Sequence, residues 1–207
     1  MSQTTKIDIP GEHSLILLND LLSKEECRKL IDIANNMEDD DKNKSWHKSS
    51  DTGGHYMCVI MVDDNLAQDL WKRIKKFLPS TYNRYKLVYL NNYFRFSKYK
   101  EHGVFPIHCD GTNYDGNHLE LTSNCISESL FTLNIFLNDD ESETEPLLTG
   151  GETDFFNENN EGLSLRYSVK PKTGRASLFW TNQYHKGNIV EDGCKYLLRT
   201  DVMGYMP

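Results

Sequence analysis

Leu130-Phe-Thr-Leu-Asn-Ile-Phe-Leu-Asn138 is the stretch that decides the fold class. Read with a period of two, Phe131, Leu133, Ile135 and Leu137 fall on one face, and Thr132, Asn134 and Phe136 fall on the other. That is a strand with one apolar face on a core and one mixed face, whose polar members Thr132 and Asn134 point toward a pocket. From about Lys86 onward the pattern continues. KLVYLNNYFRF, SLFTLNIFL, LRYSVK, RASLFW and KYLLRTDVM are β-rich, and Gly, Asn and acidic turns separate them. Half a dozen or more short strands with no helix between them imply a sandwich or jelly roll. DDESETEP (139–146) and NENNEG (157–162) read as solvated hairpin loops between strands.

Upstream of this β unit the period is helical. Ser23 and Glu26 form a capping box, and Cys27, Leu30, Ile31 and Ala34 follow on one face, which predicts a helix over roughly 23–37. A second helix starts near Asn65, carries Leu66, Leu70, Ile74, Phe77 and Leu78, and stops at Pro79. The charged run EDDDKNK (38–44) reads as a solvated loop. The expected architecture is mainly β with N-terminal helices (α+β), in which 1–85 is a helical support region for a β core over 86–207. With 207 residues against a soft prior of ~150 per domain, no internal repeat and no linker rich in Pro, Gly or Ser, one domain over 1–207 is expected.

Lys plus Arg number 23 against 31 Asp plus Glu, a net charge of -8, which disfavours any protein whose main work is neutralising phosphates. Nucleic acid and anionic membranes drop out as main partners. The 38% hydrophobic and 11% aromatic residues suffice for a sizeable core. Five scattered cysteines without a C-x-x-C pair suggest neither a disulfide framework nor a cysteine zinc site. The first twenty residues lack the apolar run of a signal peptide, and no stretch approaches about 18 apolar residues. A cytoplasmic protein is the expectation.

Chemistry concentrates in Pro106-Ile-His-Cys-Asp-Gly111. On a strand His108 and Asp110 project the same way and Cys109 the other, so one strand offers two metal ligands together. A distant histidine would complete a two-histidine, one-carboxylate face that leaves positions of an octahedral iron open for a bidentate co-substrate and oxygen. His185, at the edge of a β segment after the turn at 171–174, is the best candidate, with His118 and His55 as rivals. His13, His47 and His102 have no such context.

The remaining pattern resembles the iron(II) and 2-oxoglutarate dependent dioxygenases, within them the prolyl 4-hydroxylase-like branch. The resemblance rests on Arg95-Phe-Ser-Lys-Tyr99 before His108, on Leu130–Asn138, on Gly150-Gly-Glu-Thr-Asp-Phe155, on Pro171–Trp180, and on His185 followed ten positions later by Lys195 in Gly193–Arg199. Five pieces stand in the family's order over about 95–203. The resemblance implies a double-stranded β-helix with buttressing N-terminal helices, and His108, Asp110 and His185 as both catalytic residues and metal ligands. It implies Fe(II), 2-oxoglutarate and O2 as cofactor and co-substrates, with ascorbate as an auxiliary reductant. The implied reaction hydroxylates an unactivated C–H and releases succinate and CO2.

By the same resemblance Lys195 anchors the distal carboxylate of 2-oxoglutarate, and Tyr99 hydrogen-bonds the co-substrate or is a half-buried strand aromatic. Arg199 rivals Lys195, because 195, 197 and 199 share one strand face. At about 3.3 Å per residue the two cations lie roughly 13 Å apart, too far for one compact dicarboxylate to engage both. Phe136 departs from relatives that carry a second tyrosine there. Gly150 and Gly151 read as turn and close-approach glycines, Glu152 and Thr153 as structural, and Trp180 as core. Trp46–Gly54 reads as a loop that closes over a peptide or as an ordinary surface loop. The implied partner is a protein or peptide substrate, with peptidyl proline favoured. A lysyl side chain, a free amino acid or a nucleobase remains open, as does a non-enzymatic β-sandwich binding module.

Overall fold

The computed structural model describes residues 3–11, 13–40, 43–48, 56–115, 127–139 and 147–207. His55, His118, Gly53 and most of the acidic loop at 139–146 fall outside them.

Strands β1 (Thr5–Asp8) and β2 (Leu15–Asn19) precede helix α1 (Lys24–Asn35), and β3 (Lys44–Lys48) and β4 (Tyr56–Val62) precede α2 (Asp64–Ile74). Then follow β5 (Thr81–Tyr82), β6 (Tyr85–Leu90), β7 (Tyr93–Lys100), β8 (Phe105–His108), β9 (Tyr114–Asp115) and β10 (Ser127–Phe136). The chain continues with β11 (Thr149–Gly150), β12 (Thr153–Asn159), β13 (Gly162–Val169), β14 (Ala176–Trp180), β15 (His185–Gly187), β16 (Val190–Asp192) and β17 (Cys194–Tyr205). A major sheet runs β1-β2-β14-β10-β17-β7-β4-β3, and β6 and β9 pair with β17 and β10 off this path. A minor sheet runs β13-β12-β15-β8. This is the mainly β jelly roll, a double-stranded β-helix with N-terminal helices, that the sequence led us to expect.

The alternation of β10 has a direct physical cause. Phe131, Leu133 and Ile135 join a core with Cys27, Leu30, Ala34, Leu70 and Ile74 of the two helices. Phe136 joins a second core with Leu148, Phe155, Phe179 and Leu197, between the two sheets. One face of the major sheet is thus sealed by helices. The other faces the minor sheet and is free to carry polar groups.

Both helices begin as read. Ser23 Oγ accepts from the Glu26 N–H at 3.1 Å while Glu26 Oε2 accepts from the Ser23 N–H at 2.7 Å, closing the capping box. Asp63 Oδ1 caps α2 by accepting from the N–H groups of Asn65 and Leu66. The helical pattern toward Pro79 tightens into a single 3₁₀ turn over Lys75–Phe77.

The support region is not helical throughout. β2 pairs with β14 and β4 pairs with β7, so residues of 1–85 form strands of the major sheet itself. Leu15, Ile16, Leu17 and Leu18 are buried on both sides, Ile16 and Leu18 under the helices and Leu15 and Leu17 between the sheets. A strand covered on both faces shows a continuous apolar run and no alternation, so the period-two reading passes over it. Trp46, expected in a loop, lies in β3, paired with β4; the rest of that loop, 49–54, lies outside the described residues. Among the described residues no helix is long and apolar enough to cross a membrane.

Candidate active site

His108 ends β8 and His185 opens β15, and the two are register partners across the minor sheet, with ring centroids 4.2 Å apart. Each Nδ1 lies within hydrogen-bond distance of a carbonyl two residues back, 2.8 Å from Pro106 O and 2.9 Å from Gln183 O. With Nδ1 donating, each Nε2 keeps its lone pair and faces the other. Asp110 Oδ1 lies 3.6 Å from His108 Nε2 and 3.8 Å from His185 Nε2. The three ligand atoms all lie within 4.8 Å of one another.

Strand alternation is not what brings Asp110 there. β8 stops at His108, and Asp110 lies beyond it, its N–H donating to Thr181 O at 3.1 Å. Its side chain is then held from the major sheet. Thr132 Oγ1 donates to Oδ2 at 2.6 Å, and Arg199 Nη1 sits 3.0 Å from Oδ1.

Burial works against a charge on Asp110, but the hydrogen bond with His108, the Arg199 guanidinium, His185 and the Thr132 hydroxyl outweigh it. Its carboxyl is held well below the usual range. Burial pushes the His185 imidazole down to about 4. Its ring lies 4.8 Å from that of Phe179 and 5.9 Å from that of Phe155. A neutral imidazole is the form that ligates a metal. Two imidazole nitrogens and one carboxylate oxygen, converging on one point, fit iron(II).

At the far end of the same pocket stands Lys195, the register partner of Tyr99. It is only 2% exposed, among the largest fully buried side chains. Its Nζ lies over the rings of Tyr99 at 5.2 Å and Phe136 at 5.4 Å, and 3.5 Å from Thr153 Oγ1. No carboxylate stands within ion-pair distance of it among the described residues. Burial pushes its ammonium down to about 7, with Glu152 opposing weakly. Gly151, at φ 73°, makes room for it, because a Cβ there would lie 3.2 Å from Lys195 Cδ. Asn134 also lines this pocket, and its buried Oδ1 has no hydrogen-bond partner.

The five residues that the sequence reading grouped around the co-substrate therefore divide. Tyr99, Asn134, Lys195 and Arg199 line the pocket, and of these Arg199 also grips Asp110, as does Thr132 from outside the lining. Arg199 also reaches Asp201 at 3.5 Å. Thr153, read as structural, touches Lys195 instead; its place beside the Gly150-Gly151 pair is the signal that would have marked it. Phe105 went unnoticed, and its ring lies 4.4 Å from that of His108. Trp180 is remote from this pocket and packs on His13 at 4.2 Å. His47 pairs with Cys58 Sγ at 2.9 Å, and His102 is exposed beside Glu101.

Thr132→Val tests the grip on Asp110. Second partners of metal ligands typically affect affinity about 10–100-fold, so loss of this buried hydrogen bond is expected to weaken cobalt(II) binding, measured by absorbance titration, about tenfold. Unchanged affinity would mean that Arg199 alone positions the carboxylate.

The sequence model of the 2OG-Fe(II) oxygenase superfamily matches residues 94–202, just over half of the chain. A sequence comparison with curated proteins gives no match. Among solved structures, the viral collagen prolyl hydroxylase vCPH from Paramecium Bursaria Chlorella virus-1, in its 2OG complex, matches with a TM-score of 0.52 at 20% identity. That match covers 100% of this chain and 97% of the other. A Pseudomonas putida prolyl-4-hydroxylase matches with a TM-score of 0.55 at 13% identity, over 93% of this chain and 91% of that one. A Trichoplax adhaerens prolyl hydroxylase, solved in complex with a hypoxia inducible factor oxygen degradation domain peptide fragment, gives 0.57 at 13%, over 93% and 83%. At such identities these likenesses establish the fold, while the family match spans both histidines, the aspartate and the lysine. The reading as a non-enzymatic module is thereby set aside: the chain belongs to the 2OG-Fe(II) oxygenase superfamily, as a 2-oxoglutarate-dependent dioxygenase that uses iron(II), 2-oxoglutarate and O2.

Proposed function

We propose that this dioxygenase hydroxylates prolyl residues of a peptide or protein, with His108, Asp110 and His185 as its iron ligands and Lys195 as the anchor of 2-oxoglutarate. The observation that carries the reading is a single pocket with three converging metal donors at one end and, at the other, a buried ammonium with no carboxylate within ion-pair distance among the described residues. Such a pocket suits a molecule that chelates a metal with one end and presents a carboxylate with the other. Iron(II) bound there supplies the redox chemistry that couples O2 to oxidative decarboxylation of the 2-oxo acid. The chain holds and orients. Thr132 and Arg199 fix the Asp110 carboxylate, the two backbone carbonyls fix the imidazole tautomers, and the rings of Tyr99 and Phe136 shelter the Lys195 ammonium. Proline is favoured as the target because three similar structures are named prolyl hydroxylases and because a proline-containing segment is extended enough to lie in an open pocket.

A pH dependence follows from Lys195. Its ordinary value is 10.5, and burial lowers it to about 7. Below that value the side chain is a cation and attracts the carboxylate; as pH rises through it, the free enzyme carries a neutral amine and must regain a proton on binding. The KM for 2-oxoglutarate is expected to rise from pH 7 upward, approaching tenfold per unit. In Lys195→Arg the rise is expected to vanish, because arginine stays charged.

The substrate reading is tested by loading the enzyme anaerobically with iron(II) and 2-oxoglutarate, adding a proline-rich peptide library and admitting oxygen. Gain of one oxygen atom on proline, with an equivalent of succinate, is the expected result. Oxygen gained instead by lysyl peptides or free amino acids would reject the prolyl reading and keep the dioxygenase.

A further inference from the structure

On the face of the major sheet that lines the pocket, neighbouring strands bring residues into transverse rows. Ile60 of β4, Arg95 of β7, Arg199 of β17 and Asn134 of β10 stand in one such row. Arg199 touches Asp110, so Arg95 stands about one strand spacing, roughly 4.8 Å, beyond an arginine that grips a metal ligand.

Arg95 and Arg199 line both the metal pocket and an adjoining cavity of about 240 Å³, whose wall also holds Ile60, Tyr93, Asn113 and Asp201. The charge of Arg199 is answered by Asp110 and Asp201. Asp201 is in turn held by Asn113 Nδ2 at 2.8 Å. Arg95 is exposed and forms no ion pair among the described residues. Like charges directly opposite on paired strands repel; Asp110 and Asp201 offset Arg199, which leaves the Arg95 guanidinium open to a further anion. Arg199 Nε, moreover, is buried with no acceptor. The distal carboxylate of 2-oxoglutarate is not that anion, because Lys195 takes it four residues away along β17, roughly 13 Å. The anion belongs to the other substrate.

We propose that Arg95 is a specificity-determining residue, and that the substrate carries a carboxylate, held by Arg95, within one or two residues of the carbon that is hydroxylated. This rests on the metal face being the reaction centre and deepens the prolyl reading. A guanidinium pairs with a carboxylate through two parallel hydrogen bonds, which sets orientation as well as charge. The carboxylate belongs either to an acidic side chain that flanks the target or to the terminal carboxyl of a peptide or free amino acid.

The test is calorimetric titration of the iron(II) and 2-oxoglutarate loaded enzyme, kept anaerobic. The probes are acetyl-Gly-Pro-Glu-Gly-amide, its Gln and Lys twins, acetyl-Gly-Pro as acid and as amide, and L-proline. A carboxylate probe is expected to bind roughly tenfold or more tightly than its amide counterpart. Arg95→Gln is expected to erase the difference, and Arg95→Glu to turn preference toward the Lys twin. Preference confined to the Glu peptide assigns the anion to a flanking side chain; preference confined to acetyl-Gly-Pro acid and L-proline assigns it to a terminal carboxyl. Equal binding of acid and amide probes, discrimination that survives Arg95→Gln, or failure of every acid probe to bind would overturn the proposal. Replacing proline by alanine in the preferred probe separates the two readings. If the acid preference persists while admitted oxygen modifies neither probe, the prolyl reading falls and the carboxylate site stands.

Discussion

Replacing His185 by alanine is expected to empty the metal site: iron content of the anaerobically loaded protein falls from about one equivalent to near zero, and 2-oxoglutarate turnover disappears with it. The imidazole is one of the three proposed donors, and its loss would remove a bond to the metal itself. The effect should therefore exceed the 10–100-fold typical when only a ligand's hydrogen-bond partner is lost. The substitution also leaves a void beside Phe155 and Phe179, for a stability cost of about 1–3 kcal/mol. A thermal melt of the metal-free protein separates that cost from the loss of metal. Asp110→Ala should lose metal equally and destabilise more, because it strips Arg199 and the Thr132 hydroxyl of their shared acceptor. If His185→Ala still bound a full equivalent of iron with wild-type affinity, the third ligand would have to be sought elsewhere.

Lys195→Met is expected to act in opposite directions on function and stability. Removing the partner of a buried carboxylate typically costs about 3–5 kcal/mol, so the apparent KM for 2-oxoglutarate should rise by roughly two to four orders of magnitude. Without 2-oxoglutarate, however, the buried ammonium has no carboxylate within ion-pair distance among the described residues, and burial pushes it down to about 7. An apolar side chain of similar length between Tyr99 and Phe136 removes that burden, and replacing buried charge by well-packed apolar groups stabilises by about 1–4 kcal/mol. A higher denaturation midpoint together with a weaker KM would mark Lys195 as a residue kept for its ligand. Arg199→Met is expected to do neither. It should loosen Asp110 and lower metal affinity, and a rise in KM for 2-oxoglutarate as large as that of Lys195→Met would return the anchoring role to Arg199.

Much of this was legible from local pattern. The alternation of Phe131 to Leu137 reports two different environments on two faces of one strand, and the His-x-Asp pair with a later histidine reports a metal face. Both signals are carried by side-chain chemistry at fixed short spacings, which depend little on the rest of the chain. Leu15–Leu18 and β4 escaped notice because strands covered on both sides carry no alternation. Asp110 stands beside both histidines, but not by the strand alternation expected of it. The strand ends at His108, and what turns the carboxylate inward is a backbone hydrogen bond from the Asp110 N–H to the Thr181 carbonyl and side chains from two strands of the opposite sheet.

The amino-acid order therefore settled which residue types are present, which faces are apolar and which groups are able to bind iron. Which polar residue does what was settled by register between strands distant in the chain. Thr132 and Asn134 lie on one face of β10, yet Thr132 reaches Asp110 and Asn134 lines the pocket. Lys195 and Arg199 share a face of β17, yet only Lys195 is enclosed by Tyr99, Phe136 and Thr153. Arg95 meets Arg199 because β7 pairs with β17 in one register out of several that hydrophobic alternation would allow. Period-two pattern specifies a face, and a shift by two residues preserves it. The row that a residue occupies is decided by the packing of the sheets and helices together.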